Sequence, residues 1–150
     1  MAYCTQEDLL RAMPKRTLAQ LTCDTPPATE PDDTVIHWAI ASAAELIDGY
    51  LRQRYTLPMK DVPTMVRDVS VAIARHTLYA RRPEGKEDLP PAVVRTYKDA
   101  IKLLSEIAKG NVDLGTGGSG TGTLPAPEAN IEVQFNTAGK MFPPEVLNKY

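Results

Sequence analysis

The sequence has no excess of positive charge, few aromatic residues and no long hydrophobic run. Its 17 Lys and Arg residues stand against 19 Asp and Glu residues, which gives a formal net charge of −2. A general nucleic-acid-binding protein needs a basic surface to release counterions, so this composition argues against that class. Aromatic residues make up only 6% of the chain, and the core must therefore depend on aliphatic side chains. No apolar segment approaches the roughly 20 residues that a membrane-spanning helix requires.

Cysteine is scarce as well, since Cys4 and Cys23 are the only two. A disulfide between them is conceivable, but one pair is a small framework for a secreted protein. Two reduced thiols, partly packed in a core, are the favoured interpretation. The first residues, MAYCTQEDLL, include acidic side chains where a signal peptide would be apolar. We therefore expect a protein that is made in a reducing cytoplasm.

One glycine-rich segment has the spacing of a nucleotide-binding motif. Gly115, Gly117 and Gly120 spell G-x-G-x-x-G, but a dinucleotide site needs that run between a buried strand and a helix. Here the run follows a predicted helix and precedes Thr-Leu-Pro-Ala-Pro. A linker is the better interpretation, and no cofactor is expected.

Other potential active-site residues are isolated. His37 and His76 lie on different predicted helices and have no nearby partner at metal-ligand spacing. Glu45 and Asp48 form a carboxylate pair that we interpret as solvated surface, because a sequence cannot place either of them in a pocket. No G-x-S-x-G nucleophile motif is present. The sequence therefore predicts neither an enzyme nor a metal site.

Periodicity in the first 110 residues predicts a helical body. Thr5 and Asp8 form a capping pattern, and Gly110 is a natural helix stop. The predicted helices cover about residues 6–13, 34–54, 64–82 and 92–109, with one further turn at 17–21. The expected buried faces are Ile36, Ile40, Ala43, Ile47, Tyr50 and Leu51; then Val66, Val69, Ala72, Ile73, His76 and Tyr79; then Val94, Tyr97, Ile101, Leu104 and Ile107.

The composition changes after Gly110. Residues 111–123 are rich in glycine and predict a flexible linker. Residues 124–150 form a C-terminal arm in which IEVQF alternates apolar and polar positions, as a short strand would. We therefore predict an all-α fold, a small bundle of about four helices in residues 1–110 with an extended arm.

Arginine and tyrosine recur in and just after the predicted helix at 34–54 and in the predicted helix at 64–82. This composition is typical of protein interfaces. The candidate interface residues in the body could equally be internal hydrogen-bond anchors or solvated side chains with apolar stems. In the arm, the apolar side of the predicted strand could pair with a partner. The full set is Tyr50, Arg54, Tyr55, Arg75, Tyr79, Ile131, Val133 and Phe135.

Three segments together resemble a family of small proteins encoded in the head-gene region of Mu-like phages and prophages. These segments are MAYCTQEDLL, ELIDGYLRQRYTLPM and VSVAIARHTLYARRP. Family members share a Tyr-Cys/Ala-Thr-x-x-Asp-Leu start, an Ile-Asp-x-Tyr-Leu-x-x-Arg-Tyr-x-Leu-Pro block and an Ile-Ala-Arg-x-x-Leu-Tyr helix. The positions that match the block and the helix are Ile47, Asp48, Tyr50, Leu51, Arg54, Tyr55, Leu57, Pro58, Ile73, Ala74, Arg75, Leu78 and Tyr79. The resemblance covers roughly residues 1–110.

The resemblance implies a head–tail connector, or adaptor, located at the head–tail junction of the virion. Such adaptors form a homo-oligomeric ring of about twelve copies beneath the portal protein, so each contact is head-to-tail. The implied partners are other copies, the portal, the next head- or tail-completion protein and the DNA that passes through the channel, with no membrane. The alternative is a helical DNA-binding protein or assembly factor. It would use the basic residues of the predicted helix at 64–82, which are Arg67, Arg75, Arg81 and Arg82.

Overall fold

The computed structural model describes residues 2–25, 27–81 and 89–115, and all regular secondary structure in these ranges is helical. The prediction of an all-α fold is therefore confirmed. The segment around residues 17–21 is a full helix of eight residues rather than one turn. The helices are α1 (Gln6–Ala12), α2 (Lys15–Thr22), α3 (Asp33–Leu51), α4 (Thr64–Ala80) and α5 (Pro91–Lys109).

Helix α4 lies at the centre of the bundle. It packs against α3 and α5, which also contact each other, and it contacts α1 and α2. Most of the residues predicted for the buried faces of α3 and α4 are buried, whereas Tyr50, Ala72, His76 and Tyr79 are half-buried. Ile36, Ile47 and Val66 have no exposed surface. One continuous apolar core therefore joins all five helices.

Two details of the long helices differ from the prediction. Helix α3 ends at Leu51, so Arg54 lies in the following turn instead of the last helical turn. In α5 the fully packed positions include Val93 and Ala100, whereas Val94 and Ile101 are half-buried. The apolar residues of α5 occur in adjacent pairs, and a helix that packs on two neighbours has a wide apolar face, so periodicity alone does not fix its centre.

The chain segments between helices are held by specific side chains. Thr5 and Asp8 form the predicted capping box at the start of α1. The buried Thr22 hydroxyl accepts from the backbone N–H of Asp32 at 3.0 Å and donates to the carbonyl of Leu18 at 2.8 Å. These bonds connect the end of α2 to the start of α3.

The N-terminal segment packs across α3 and α4. Tyr3 and Cys4 are buried, and the Tyr3 hydroxyl donates a hydrogen bond to the carboxylate of Asp48. Burial and this carboxylate raise the pKa of Tyr3. The Ser70 hydroxyl on α4 donates to Cys4 Sγ at 3.1 Å. Asp48 is therefore a half-buried acceptor, and its interpretation as solvated surface is wrong.

His76 joins α4 to α5. Its ring stacks on the ring of Tyr97 with centroids 4.0 Å apart. Burial lowers the pKa of His76, because desolvation disfavours the charged imidazolium. His76 was expected on the buried face of α4, and the structure places it half-buried against α5.

Metal-ligand clusters and membrane spans are both absent from the described parts of the chain. No group of three or more His, Cys, Asp or Glu side chains comes together there as a metal site would require. Among the five helices, none combines the length and apolar character of a membrane span. The predicted strand at residues 131–135 and most of the predicted linker lie outside the described residues.

Candidate assembly surface

Arg54 and Tyr55 are positioned by the turn that follows α3, and both contact the end of α5. Arg54 Nη1 donates to the carbonyl of Ile107 at 3.1 Å. The buried Tyr55 hydroxyl lies 3.4 Å from Asp113 Oδ1 and accepts from the backbone N–H of Leu114 at 3.2 Å. These two side chains therefore fix the point at which the chain leaves α5. Their role as interface residues stays a prediction.

Gly110 leaves room for this arrangement. It ends α5 in the left-handed conformation with φ of 90°, which glycine adopts without steric cost. A Cβ atom at this position would overlap the guanidinium of Arg54. The glycine is therefore needed both for its backbone conformation and for the close approach of Arg54.

Arg75 is in a different position, on α4 and half-buried. Its guanidinium lies over the ring of Tyr79, 5.9 Å from the centroid, a cation–π arrangement. Its Nε atom is buried and has no hydrogen-bond acceptor within the described residues, which is costly. The terminal guanidinium nitrogens also make no hydrogen bond to a described residue, and they are the donors that an acceptor of another molecule can reach.

Tyr50 lines a shallow groove between α3 and α5. The groove has a volume of about 420 Å³ and includes Leu46, Gly49 and Ala108, with Glu45 at its edge. Glu45 is exposed, as the sequence predicts. The groove is lined by apolar residues together with the polar Glu45 and Gln53, a mixture that protein interfaces also have.

Trp38 is a candidate that the sequence analysis missed. It is 53% exposed and is the most exposed of the large hydrophobic residues in the described part of the chain. The signal was present, because Trp38 falls outside the apolar periodicity that defines the buried face of α3. Tryptophan is enriched among the residues that contribute most to binding at protein interfaces.

The arginines proposed for the DNA-binding alternative do not form one row. Arg81 donates to the carbonyl of Leu21 at 3.2 Å and pairs with Asp24 at 2.5 Å, so it connects α4 to α2. Arg67 is exposed near Asp8, and the capping bonds from Thr5 together with Arg67 keep the pKa of Asp8 low. Arg75 covers Tyr79. Arg82 lies outside the described residues, as do the arm candidates Ile131, Val133 and Phe135.

Comparison with known proteins gives a consistent assignment. A family model described as "Bacteriophage Mu, Gp36" matches residues 3–133. The match therefore extends beyond residue 110, where the sequence analysis ended the resemblance, and includes the glycine-rich segment together with Ile131 and Val133.

Two relatives cover most of the chain. It is 31% identical over 134 residues to "Gene product J" of Escherichia phage Mu, across 89% of this chain and 90% of that protein. It is 30% identical over 115 residues to "Mu-like prophage FluMu protein gp36" of Haemophilus influenzae, across 75% of each chain.

Proposed function

The chain belongs to the bacteriophage Mu Gp36 family, and we propose that it is a structural subunit of the head–tail connector of a tailed phage. Family membership supports a structural or morphogenetic role. In the proposed role, about twelve copies form a ring whose contacts are all head-to-tail. The ring joins the portal protein to the next completion protein, and packaged DNA passes through it. No catalytic step is part of this role.

The observation that carries the proposal is Arg75. A monomer that functions alone gains nothing from a half-buried guanidinium whose Nε lacks an acceptor, because the unmade bond costs free energy. In an assembly, a partner's acceptor can bind the terminal nitrogens of this guanidinium, which make no hydrogen bond to a described residue. The exposed Trp38 supports the same role, since such a side chain is stabilised when a partner covers it.

The first test is the abundance of the protein in purified phage particles, measured by quantitative mass spectrometry relative to the portal protein. Near-equal abundance is expected for a ring of similar copy number beneath the portal. Absence from particles would contradict the connector role and favour an assembly factor or a DNA-binding protein. In that case, salt-dependent binding of the purified protein to duplex DNA would be the next measurement.

A second test concerns the arm. In the proposed ring, residues 124–150 reach a neighbouring copy or the portal, where Ile131, Val133 and Phe135 supply the apolar contacts. Deleting residues 124–150 should abolish ring assembly on portal-bearing heads. A matched full-length variant with these three residues replaced by Ser should have the same defect. Normal assembly of both variants would contradict this role of the arm.

A further inference from the structure

The side of α3 opposite its buried residues has no packing partner within the described residues. Trp38 precedes the fully buried Ile47 by nine residues, which is about two and a half helical turns. It therefore points away from the core. Glu45 and Gly49 follow Trp38 at seven and eleven residues, about two and three turns on, and lie on the same line. We call Trp38, Glu45 and Gly49 the α3 face.

The corresponding side of α4 has the complementary charge. Arg75 follows the fully buried Val66 by nine residues, again about two and a half turns. Val71 and Tyr79 are four residues before and after Arg75, so they lie beside it on the helix surface. We call Val71, Arg75 and Tyr79 the α4 face. Because α3 and α4 pack directly on each other, the two faces point in opposite directions.

The α4 face needs an acceptor. Its three residues are all half-buried, and Arg75 makes no ion pair with any described carboxylate. The guanidinium lies over the ring of Tyr79, its Nε is buried, and its terminal nitrogens are the donors that a partner can reach. A carboxylate is the acceptor that a guanidinium binds most strongly.

The α3 face can supply that carboxylate. Glu45 is exposed and has no hydrogen bond or ion pair within the described part of the chain. Gly49 has open space beyond its Cα atom, so a neighbouring helix can approach closely there. Trp38 adds a large apolar surface that would exclude water from the charge pair.

We propose that the α3 face of one copy binds the α4 face of the next copy, with Glu45 accepting hydrogen bonds from the neighbouring copy's Arg75. The inference rests on the proposed connector function and specifies its subunit contact. Charge complementarity identifies the occupant of each face as a second copy of this chain. Because the two faces differ and point apart, the contact is heterologous and generates a ring or an open spiral, not a two-fold dimer.

Cysteine cross-linking on assembled heads tests this contact. Full-length protein with Cys23→Ser, Ala41→Cys and Val71→Cys is added to portal-bearing heads that lack the native copy, and a short bis-maleimide reagent follows. The two new cysteines lie four residues before Glu45 and Arg75 and leave that pair in place. Cys4 is 3% exposed and does not compete for the reagent. The expected result is a ladder of covalent multimers, with only monomers from either single variant. Glu7→Cys with Lys102→Cys, at exposed positions of α1 and α5, is the matched control and should remain monomeric.

Each other outcome has a distinct meaning. Dimers from Ala41→Cys alone would show that the α3 side pairs with itself, and would overturn the inference. Heads that retain the double-cysteine protein without a ladder would also overturn it, but would leave the connector proposal in place. Heads that retain neither this variant nor the unmodified chain would overturn the connector proposal and the inference together.

Charge reversal gives an independent test. Glu45→Arg or Arg75→Glu should lower retention on heads about tenfold or more, because each places like charges together. Both changes in one chain should restore retention, and Arg95→Glu on the exposed side of α5 should have no effect. If the Arg75→Glu protein has a lower melting temperature than the unmodified protein, the Arg75→Gln protein is used in its place in the single-variant test. A double variant that is retained no better than the single variants would overturn the inference.

Discussion

Arg54 and Arg75 have the same side chain in opposite surroundings. Arg54 donates to a carbonyl at the end of α5, whereas Arg75 has a buried Nε without an acceptor. Both fall in motifs of the Mu-like family, so the sequence indicates that both matter but not how. The difference between them depends on which atoms lie nearby in the folded chain.

Alanine substitutions should separate these two arginines. Arg54→Ala should lower the free energy of unfolding by about 1 to 3 kcal/mol, because it removes a charge-assisted hydrogen bond to Ile107. Arg75→Ala should change it by less than about 1 kcal/mol, because the lost contact with Tyr79 is offset by removal of the unpaired donor. Urea denaturation of the purified variants measures both values. A large loss of stability for Arg75→Ala would identify it as an internal anchor instead of an interface residue.

At the scale of helices, the end of α5 is the most constrained point of the body. Gly110→Ala should destabilise the protein by about 1 to 3 kcal/mol, because alanine disfavours a φ of 90° and its Cβ would displace Arg54. The cost should be smaller in an Arg54→Ala background, where the steric part is absent. A double-mutant cycle by urea denaturation measures this difference.

Gly49→Ala is the matched control for that cycle. Gly49 lies inside α3, and an added Cβ meets nothing within 4 Å. This substitution should stabilise the isolated protein by up to about 1 kcal/mol through helix propensity. A destabilising Gly49→Ala would contradict the open space beside this residue.

The contact between α4 and α5 should make stability depend on pH. The pKa of His76 is lowered from 6.5 in the folded protein by burial. The unfolded chain therefore binds the proton more readily, and stability decreases as the pH falls from above 6.5 toward the lowered pKa. His76→Phe keeps an aromatic ring against Tyr97 and should remove this part of the pH dependence. Thermal melts across the range measure it, and equal slopes for both proteins would contradict the assignment.

The sequence was sufficient for the number and type of the long helices but less so for their ends. Thr5, Asp8 and Gly110 are local signals, and the structure uses all three as predicted. Helix α3 ends before Arg54, and the side chain of Arg54 donates a hydrogen bond to the carbonyl of Ile107 in α5. This tertiary contact is not visible in the helical periodicity. The centre of the α5 face was misplaced because its position is set by packing on two neighbouring helices.

The candidate site was harder to predict than the fold. The arginine and tyrosine residues in and just after segment 34–54 and in segment 64–82 predicted an interface, but sequence could not tell a satisfied side chain such as Tyr55 from one with an unpaired donor such as Arg75. Periodicity identifies the apolar face of α3 and carries no signal for a single residue such as Trp38 on the opposite side. Both distinctions require the distances and exposed fractions that only a folded chain supplies.

At the scale of the whole molecule, the core that the structure describes lies between Tyr3 and Leu114. A chain that ends at residue 123 should therefore melt within about 2 °C of the full-length protein, since it keeps every residue of the core that the structure describes. Differential scanning calorimetry measures this directly. The result also serves as the folding control for the loss of assembly expected when residues 124–150 are deleted. A much lower melting temperature would mean that the arm contributes to the stability of the body.

The direct packing of α3 on α4 has a geometric consequence for any assembly built from their outer sides. If each copy binds the next through these two faces, successive copies turn by the amount by which the angle between the faces departs from 180°. That angle is set inside the chain, by the packing of α3 on α4, and α3 buries small side chains such as Ala43. A larger residue there would change the curvature of the array, so a substitution in the core, far from any subunit contact, could convert a closed circle into an open helix.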